Sequence, residues 1–255
     1  MSGAVCSGDQ RVMSMGNDGQ GGERIIRHSG WRPPLLIALG IAAFGILFLI
    51  YYLGPTPSDI VGNNPKPTAS HDRISLTVGS KNFSVPANYT RIPATRAGGL
   101  FEEVSLYALL PDLTGYETAN DEAFEDVSAD SNVLFITLQR SKSSMTERNR
   151  LDRIYMQQVT DPNGAPGPDN LAAFTFGETS GFFGDDLFVG TDGAGNVLVY
   201  RCAKPTDEVK APDCRRITEI GGDVTLQYQF KRKHLEQWRS IDARVMDLIA
   251  SFQAR

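Results

Sequence analysis

Histidine and cysteine are both scarce, with three of each in 255 residues, and each scarcity closes off chemistry. His28 and His71 fall outside the segments that carry folding signals, so His234 is the one histidine that could serve a folded domain as a base. It follows Lys231, Arg232 and Lys233, whose charges disfavour its protonated form. A solvated histidine at a helix start is the plainer reading. The cysteines form no C-x-x-C pair and no cluster with histidine, which excludes the usual redox motif and a structural zinc site. Basic charge is also short: 25 Lys and Arg stand against 30 Asp and Glu, a net charge of -5. Nucleic-acid surfaces carry a basic excess, so no nucleic acid is expected as a partner. The G-x-S-x-G elbow of hydrolases is missing, because GETSGFFG sets Ser180 directly against Gly181. FGDDLFVGTDGAGN lacks the alternating oxygen ligands and closing Glu of a calcium loop, and DGAGN reads as a hairpin turn instead. These residues imply no metal and no cofactor.

Long apolar runs are absent except for one, LLIALGIAAFGILFLIYYL at residues 35–53, which contains no charge. As a helix it measures roughly 28 Å, close to the hydrocarbon thickness of a bilayer. Trp31 precedes it and Tyr51 and Tyr52 close it, the placement of aromatic rings at the two headgroup layers. A cleaved signal peptide would have a shorter apolar core and a small-residue site where this chain has YYLGP. Arg24, Arg27 and Arg32 lie before the run, whereas residues 54–72 offer only Lys66. The positive-inside rule then predicts a disordered cytoplasmic tail at 1–33, a transmembrane helix at 34–53 and an external C-terminal part. The expected location is a bacterial inner membrane with the C-terminal domain in the periplasm. Ala38, Ala42 and Gly45 share one side of that helix and would permit close approach of a second copy, hence a homodimer.

That topology separates the cysteines. Cys6 falls on the reducing side, and Cys202 and Cys214 fall where disulfides persist. VLVYRC and CRRITEI alternate as strands do, with the polar AKPTDEVKAPD between them. The expectation is a long hairpin loop closed at its neck by a Cys202–Cys214 disulfide.

Residues 54–72 hold four prolines and no period, so they read as a linker, and 73–255 as one periplasmic domain. ISLTV and KNFSV predict a hairpin about Gly79-Ser80. EEVSLYALL predicts a strand stopped by Pro111, and NDEAFED a short helix capped by Asn120. NVLFITLQR reads as a central strand. Ser144, Met145, Thr146 and Glu147 spell a capping box ahead of a helix through Val159. LAAFTFG, DLFVG, VLVYRC, CRRITEI and VTLQYQF are spaced by turn signals and predict an antiparallel meander. The closing helix, about 233–252, carries an apolar stripe of Leu235, Trp238, Ile241, Val245, Leu248, Ile249 and Phe252, with Glu236, Arg239, Asp242 and Arg244 off it. The fold class is α+β, an antiparallel sheet packed with two main helices.

KNFSVPANY and WRSIDARVMDLIASF together resemble the Mog1/PsbP-like pattern, which implies an antiparallel sandwich flanked by helices. SVPANYTRIPATRAGGLFEEVSLYALLPDLTGY resembles uncharacterised membrane-anchored proteins of alphaproteobacteria. Neither resemblance brings catalytic residues onto this chain.

Between Arg96 and Arg140 no Lys, Arg or His occurs, while nine carboxylates do: Glu102, Glu103, Asp112, Glu117, Asp121, Glu122, Glu125, Asp126 and Asp130. Two readings stand. Asp121, Glu122, Glu125 and Asp126 form a face that docks a basic protein partner, or the segment is a solvated rim paired internally with basic helix starts. The functional expectation is a noncatalytic periplasmic interaction domain in an envelope complex. A periplasmic enzyme with a site assembled from scattered residues is the alternative, and a pocket gathering His234 with several carboxylates would mark it.

Overall fold

The computed structural model describes residues 30–53, 64–142 and 145–254. Cys6, Arg24, Arg27, His28, residues 54–63 of the linker and Ser144 lie outside the described residues. The chain divides into two units, Met1–Gly54 and Pro55–Arg255.

The first unit contains helix α1, Arg32–Leu53, whose 22 residues exclude charge after Arg32. Its described side chains are exposed, Phe44 at 72% and Ile41 at 68% among them. Among the described residues no helix is long and apolar enough to cross a membrane.

The second unit is α+β. Strands β1 (Arg73–Val78) and β2 (Lys81–Pro86) pair antiparallel, and β3 (Gly99–Phe101) joins β1 in parallel. A larger antiparallel sheet contains β4 (Glu103–Leu109), β5 (Val133–Arg140), β6 (Ala165–Pro166), β7 (Ala172–Thr175), β8 (Asp185–Thr191), β9 (Val197–Ala203), β10 (Asp213–Glu219) and β11 (Val224–Lys231). Its order is β4-β5-β11-β10-β9-β8-β7-β6. β7 to β11 follow one another as the predicted meander, and β5 is interior but one strand from the edge. The helices are α2 (Asp121–Glu125), α3 (Glu147–Arg150) and α4 (Trp238–Phe252).

Alternation explains the layers. In β11 Val224, Leu226, Tyr228 and Phe230 are buried in turn, and α4 buries Trp238, Ile241, Val245, Ile249 and Phe252 at helical spacing. These two stripes, together with Leu76 and Phe83 of the small sheet, make the main core on one face of the large sheet. The opposite face carries two smaller clusters, one around Leu151, Tyr155 and Val199, the other around Tyr107, Tyr116 and Val133. The small sheet is tied to the β10–β11 turn, where Asp223 Oδ1 accepts the Ser80 N–H at 2.8 Å and Gly222 O accepts the Ser80 hydroxyl at 2.7 Å. Gly79, at φ +55°, makes that close approach possible, since a Cβ there would lie 2.5 Å from Asp223 Oδ1.

Cys202 and Cys214 are directly opposite in the β9–β10 ladder and form a disulfide, as the hairpin reading expected. Two local expectations are corrected. Thr146 caps α3, accepting the Asn149 N–H at 3.2 Å, and Glu147 is the first helical residue rather than the third of a capping box. The segment continues as a π-helical turn, Leu151–Tyr155, and helix ends there. Asn120 flanks α2 without a side-chain cap; its amide oxygen instead accepts the Glu117 N–H at 2.8 Å, closing a box around the preceding turn.

Candidate functional site

β4 alternates, so Leu106 and Ala108 enter the core while Tyr107 faces the other side of the sheet, directly across from Phe135 of β5. Over this aromatic pair the chain returns twice. Residues 64–72 are held down by Lys66 N–H to Arg91 O at 2.9 Å, Asn88 N–H to Ser70 O at 2.8 Å and Ala87 N–H to Asp72 O at 2.9 Å. α2 arrives from the other side, its Phe124 meeting Tyr107 edge-on at 4.6 Å and Tyr116 at 5.5 Å. Between them lies a cavity of about 320 Å³, lined by Pro65, Lys66 and Pro67, Arg91, the rings of Tyr107, Tyr116, Phe124 and Phe135, and Asp121, Glu125 and Val127. Gly115, next to Tyr116, lacks a Cβ and so leaves room for the Asn88 amide, which would lie 2.6 Å from one. Asn88 is itself 2% exposed, so its N-x-T sequence is a packing element.

Two polar groups in this wall are underused. Tyr107 is 6% exposed, and its hydroxyl has no hydrogen-bond partner among the described residues. Burial pushes its pKa up to about 12, against the opposing pull of Arg96, so the proton stays on the oxygen. The Arg91 guanidinium lies 4.5 Å above the Phe135 ring with no carboxylate paired to it among the described residues, and burial lowers its pKa. Tyr116, by contrast, donates to Asp121 Oδ1 at 2.8 Å, and that bond raises its pKa.

The acidic run divides in two. Glu102 pairs with Arg140 at 3.3 Å, Asp112 with Arg244 at 2.7 Å, Glu117 with His71 at 2.8 Å and Asp130 with Lys233 at 3.2 Å. Internal pairing therefore accounts for the flanks apart from Glu103, which forms no ion pair among the described residues. Asp121, Glu122, Glu125 and Asp126 form no ion pair among the described residues: Asp121 takes the Tyr116 hydroxyl, and Asp126 the Ser128 N–H at 2.8 Å. Hydrogen bonds from Ser128 lower the Asp126 pKa, so that carboxylate stays charged. The structure thus sets the four candidate residues on and beside the mouth of an aromatic cavity. Sequence reasoning missed Tyr107, Arg91 and Phe124; the one available signal was an aromatic residue, Phe124, in an otherwise acidic helix.

His234, Ser180 and Asp242 are each engaged within the fold. His234 is buried at 7% exposure rather than solvated, its Nε2 3.0 Å from the Ser131 carbonyl, and Asp130 beside it is held by Lys233. Ser180 donates to Gln158 Oε1 at 2.8 Å within a turn. Asp242, expected off the apolar stripe, reaches under the sheet to Arg216 and accepts the Tyr228 hydroxyl at 2.8 Å. Since the Tyr228 proton goes to Asp242, Tyr200 is the donor in their 3.1 Å contact.

Glu147 occupies the most unusual place. The β9–β10 ladder stops at Arg216 opposite Tyr200. Val199 N–H, next in register, donates instead to Glu147 Oε1 at 2.7 Å, and the Ile217 carbonyl accepts from Arg150 at 2.9 Å. Helix α3 is therefore a wedge that replaces strand pairing. Glu147 also accepts Arg216 Nε at 3.0 Å and Nη2 at 2.8 Å. Burial alone would disfavour the Arg216 charge, but these bonds and the Glu147 and Asp242 charges outweigh it and raise its pKa.

A second, larger hollow of about 490 Å³ lies by Phe174, Phe188, Arg232 and Glu236. Its arginine is already paired with Asp186 at 2.6 Å and lies over Phe188, so it leaves no comparable demand. The cavity under α2 is the candidate site.

No family model matches the chain, and no curated protein matches it. Among solved structures it is similar to Smlt3025, an immunity protein of the Stenotrophomonas maltophilia type IV secretion system, at 14% identity and a TM-score of 0.53 over 73% of this chain and 95% of that one. That likeness establishes a shared fold. The Neisseria meningitidis iron-regulated outer membrane lipoprotein FrpD matches at 14% identity over 75% of this chain and 97% of its own, with a TM-score of 0.43 that supports no argument.

Proposed function

We propose that this chain is a single-pass protein of a bacterial inner membrane whose C-terminal domain faces the periplasm and binds a basic protein partner, without catalysis, within an envelope complex. The observation that carries the partner is the division of the acidic run: Glu102, Asp112 and Asp130 of its flanks are paired with basic side chains by the fold, and Asp121, Glu122, Glu125 and Asp126 are not. An uncompensated patch of one sign costs self-repulsion and gains from an oppositely charged surface. The apolar, exposed α1 supports the anchor, and the disulfide supports an oxidising compartment. Ala38, Ala42 and Gly45 of α1 would let two anchors approach as a homodimer. An immunity protein of a secretion system with the same fold supports an interaction role over a catalytic one. The Mog1/PsbP-like arrangement and a kinship with alphaproteobacterial membrane-anchored proteins stay part of this proposal.

The test is photo-cross-linking in intact cells from a benzophenone residue placed at Glu122, which is exposed. A cross-linked partner should form at low salt and fall about tenfold when Asp121→Asn, Glu125→Gln and Asp126→Asn are combined. Cross-linking that is unchanged by neutralisation and by salt sinks the charged-face reading.

A further inference from the structure

The cavity under α2 joins three features that nothing in the fold requires together. Four aromatic rings line it, which favours a flat apolar body. At its sheet side, Tyr107 carries a buried hydroxyl with no partner, and Arg91 carries guanidinium N–H groups with no carboxylate, so both donors call for an oxygen acceptor. At its helix side Asp121 and Glu125 line the wall, with Glu122 and Asp126 beside them, and all four lack a cationic partner among the described residues. Leaving a buried donor unsatisfied is costly, and Tyr107→Phe would remove that cost while keeping the ring. A purely structural role does not explain the hydroxyl.

We propose that this cavity is the anchor pocket of the partner face and receives a tyrosine side chain of the basic partner, its phenol oxygen meeting Tyr107 and Arg91 and an adjacent Lys or Arg meeting the α2 carboxylates. The inference rests on the partner-face reading and specifies how that face is used. Interfaces concentrate affinity in a few buried aromatic anchors ringed by polar groups, and a pocket of this volume holds one such ring. The acidic rim attracts the partner from a distance; the pocket holds it.

Three small probes separate the elements. Tyramine has the ring, the hydroxyl and the ammonium; phenethylamine lacks the hydroxyl; p-ethylphenol lacks the charge. Binding to the full chain in detergent micelles is measured by titration calorimetry, with saturation-transfer NMR to confirm contact. Tyramine should bind about tenfold tighter than either relative, the scale of one satisfied buried hydrogen bond or one ion pair. Tyr107→Phe should cut the advantage of tyramine over phenethylamine by at least about threefold while leaving the unfolding midpoint unchanged or raised. Val127→Trp, at a wall position 83% exposed and so tolerant of bulk, should block all three probes. Equal binding of the three probes, an unaltered ratio in Tyr107→Phe, binding that survives Val127→Trp, or no saturable binding at millimolar concentration each overturns the inference. The two failures are distinguishable: if probes fail but Glu122 cross-linking still depends on charge and salt, the pocket is refuted and the acidic face stands. If cross-linking ignores charge, the face is refuted as well.

Discussion

Replacing Glu147 by Ala should destabilise the folded domain by about 4 kcal/mol, within the roughly 3–5 kcal/mol range for breaking one side of a buried ion pair. Three donors lose their acceptor at once: Arg216 Nε at 3.0 Å, Arg216 Nη2 at 2.8 Å and the Val199 N–H at 2.7 Å. The Arg216 side chain is 7% exposed and retains Asp242, so its charge is half compensated rather than stranded, which keeps the cost from running higher. Water entering the wedge can recover part of the Val199 bond, which sets the lower bound. Glu147→Gln keeps a carbonyl acceptor and loses the charge, and about 2 kcal/mol is expected. The paired change Glu147→Leu with Arg216→Met should recover most of the loss, because no unpaired guanidinium then remains. Recovery will be incomplete, since Asp242 and the Val199 N–H both lose partners. The assay is urea unfolding of the full chain in micelles, followed through Trp238, which is buried beside Tyr200 at 6.0 Å. A shift of the midpoint at constant slope reports stability. A Glu147→Ala loss below about 1 kcal/mol would refute the wedge, because a surface contact costs no more than that.

Cys202→Ser with Cys214→Ser should lower stability by about 3 kcal/mol on the chain-entropy account of a loop with sequence separation 12, read as a drop in unfolding midpoint; no change would mean the bond is not formed in cells. In intact cells, a thiol reagent that cannot cross the inner membrane should label these two cysteines only after reduction, and labelling only after lysis without reductant would put the domain on the other side of the membrane. Burial holds the His234 pKa below its ordinary value of 6.5, with the Ser131 carbonyl pulling the other way. The unfolded chain then takes up the proton first as pH falls, so this contribution to stability is full above about 6.5 and is lost as pH drops from there towards the lower folded value. His234→Gln should flatten the slope of stability against pH in that window, and an unchanged slope would assign it to other groups.

What could be read from the sequence was whatever is written within one segment. VTLQYQF alternates because one face of β11 meets the core, and the Trp238-to-Phe252 stripe repeats at helical spacing because one side of α4 covers that face. The cysteine pair was legible because the two residues close the hairpin that separates them. Glu147 was misread for the converse reason. Its local context spells a capping motif worth about 1 kcal/mol, whereas its actual partners, Val199 and Arg216, lie 52 and 69 positions away and contribute more. Asp242 and His234 follow the same rule: each sits where a helical wheel or a run of lysines suggests solvent, and a contact from a distant segment draws it inward. The acidic run was visible as composition, but the pairing of Asp112, Asp130 and Glu102, which sets them apart from the unpaired centre, depends on Arg244, Lys233 and Arg140, none of them inside it. The cavity lies furthest from a linear reading. Residues 65–67, Arg91, Tyr107, Tyr116, α2 and Phe135 meet there from separate segments, and each taken alone reads as linker, loop, strand or solvated helix. An outward tyrosine on an alternating strand becomes a site only when another element closes over it and leaves its hydroxyl without a partner. That closure is a property of the tertiary fold, so the unpaired donor, rather than any motif, is the mark that identifies the site.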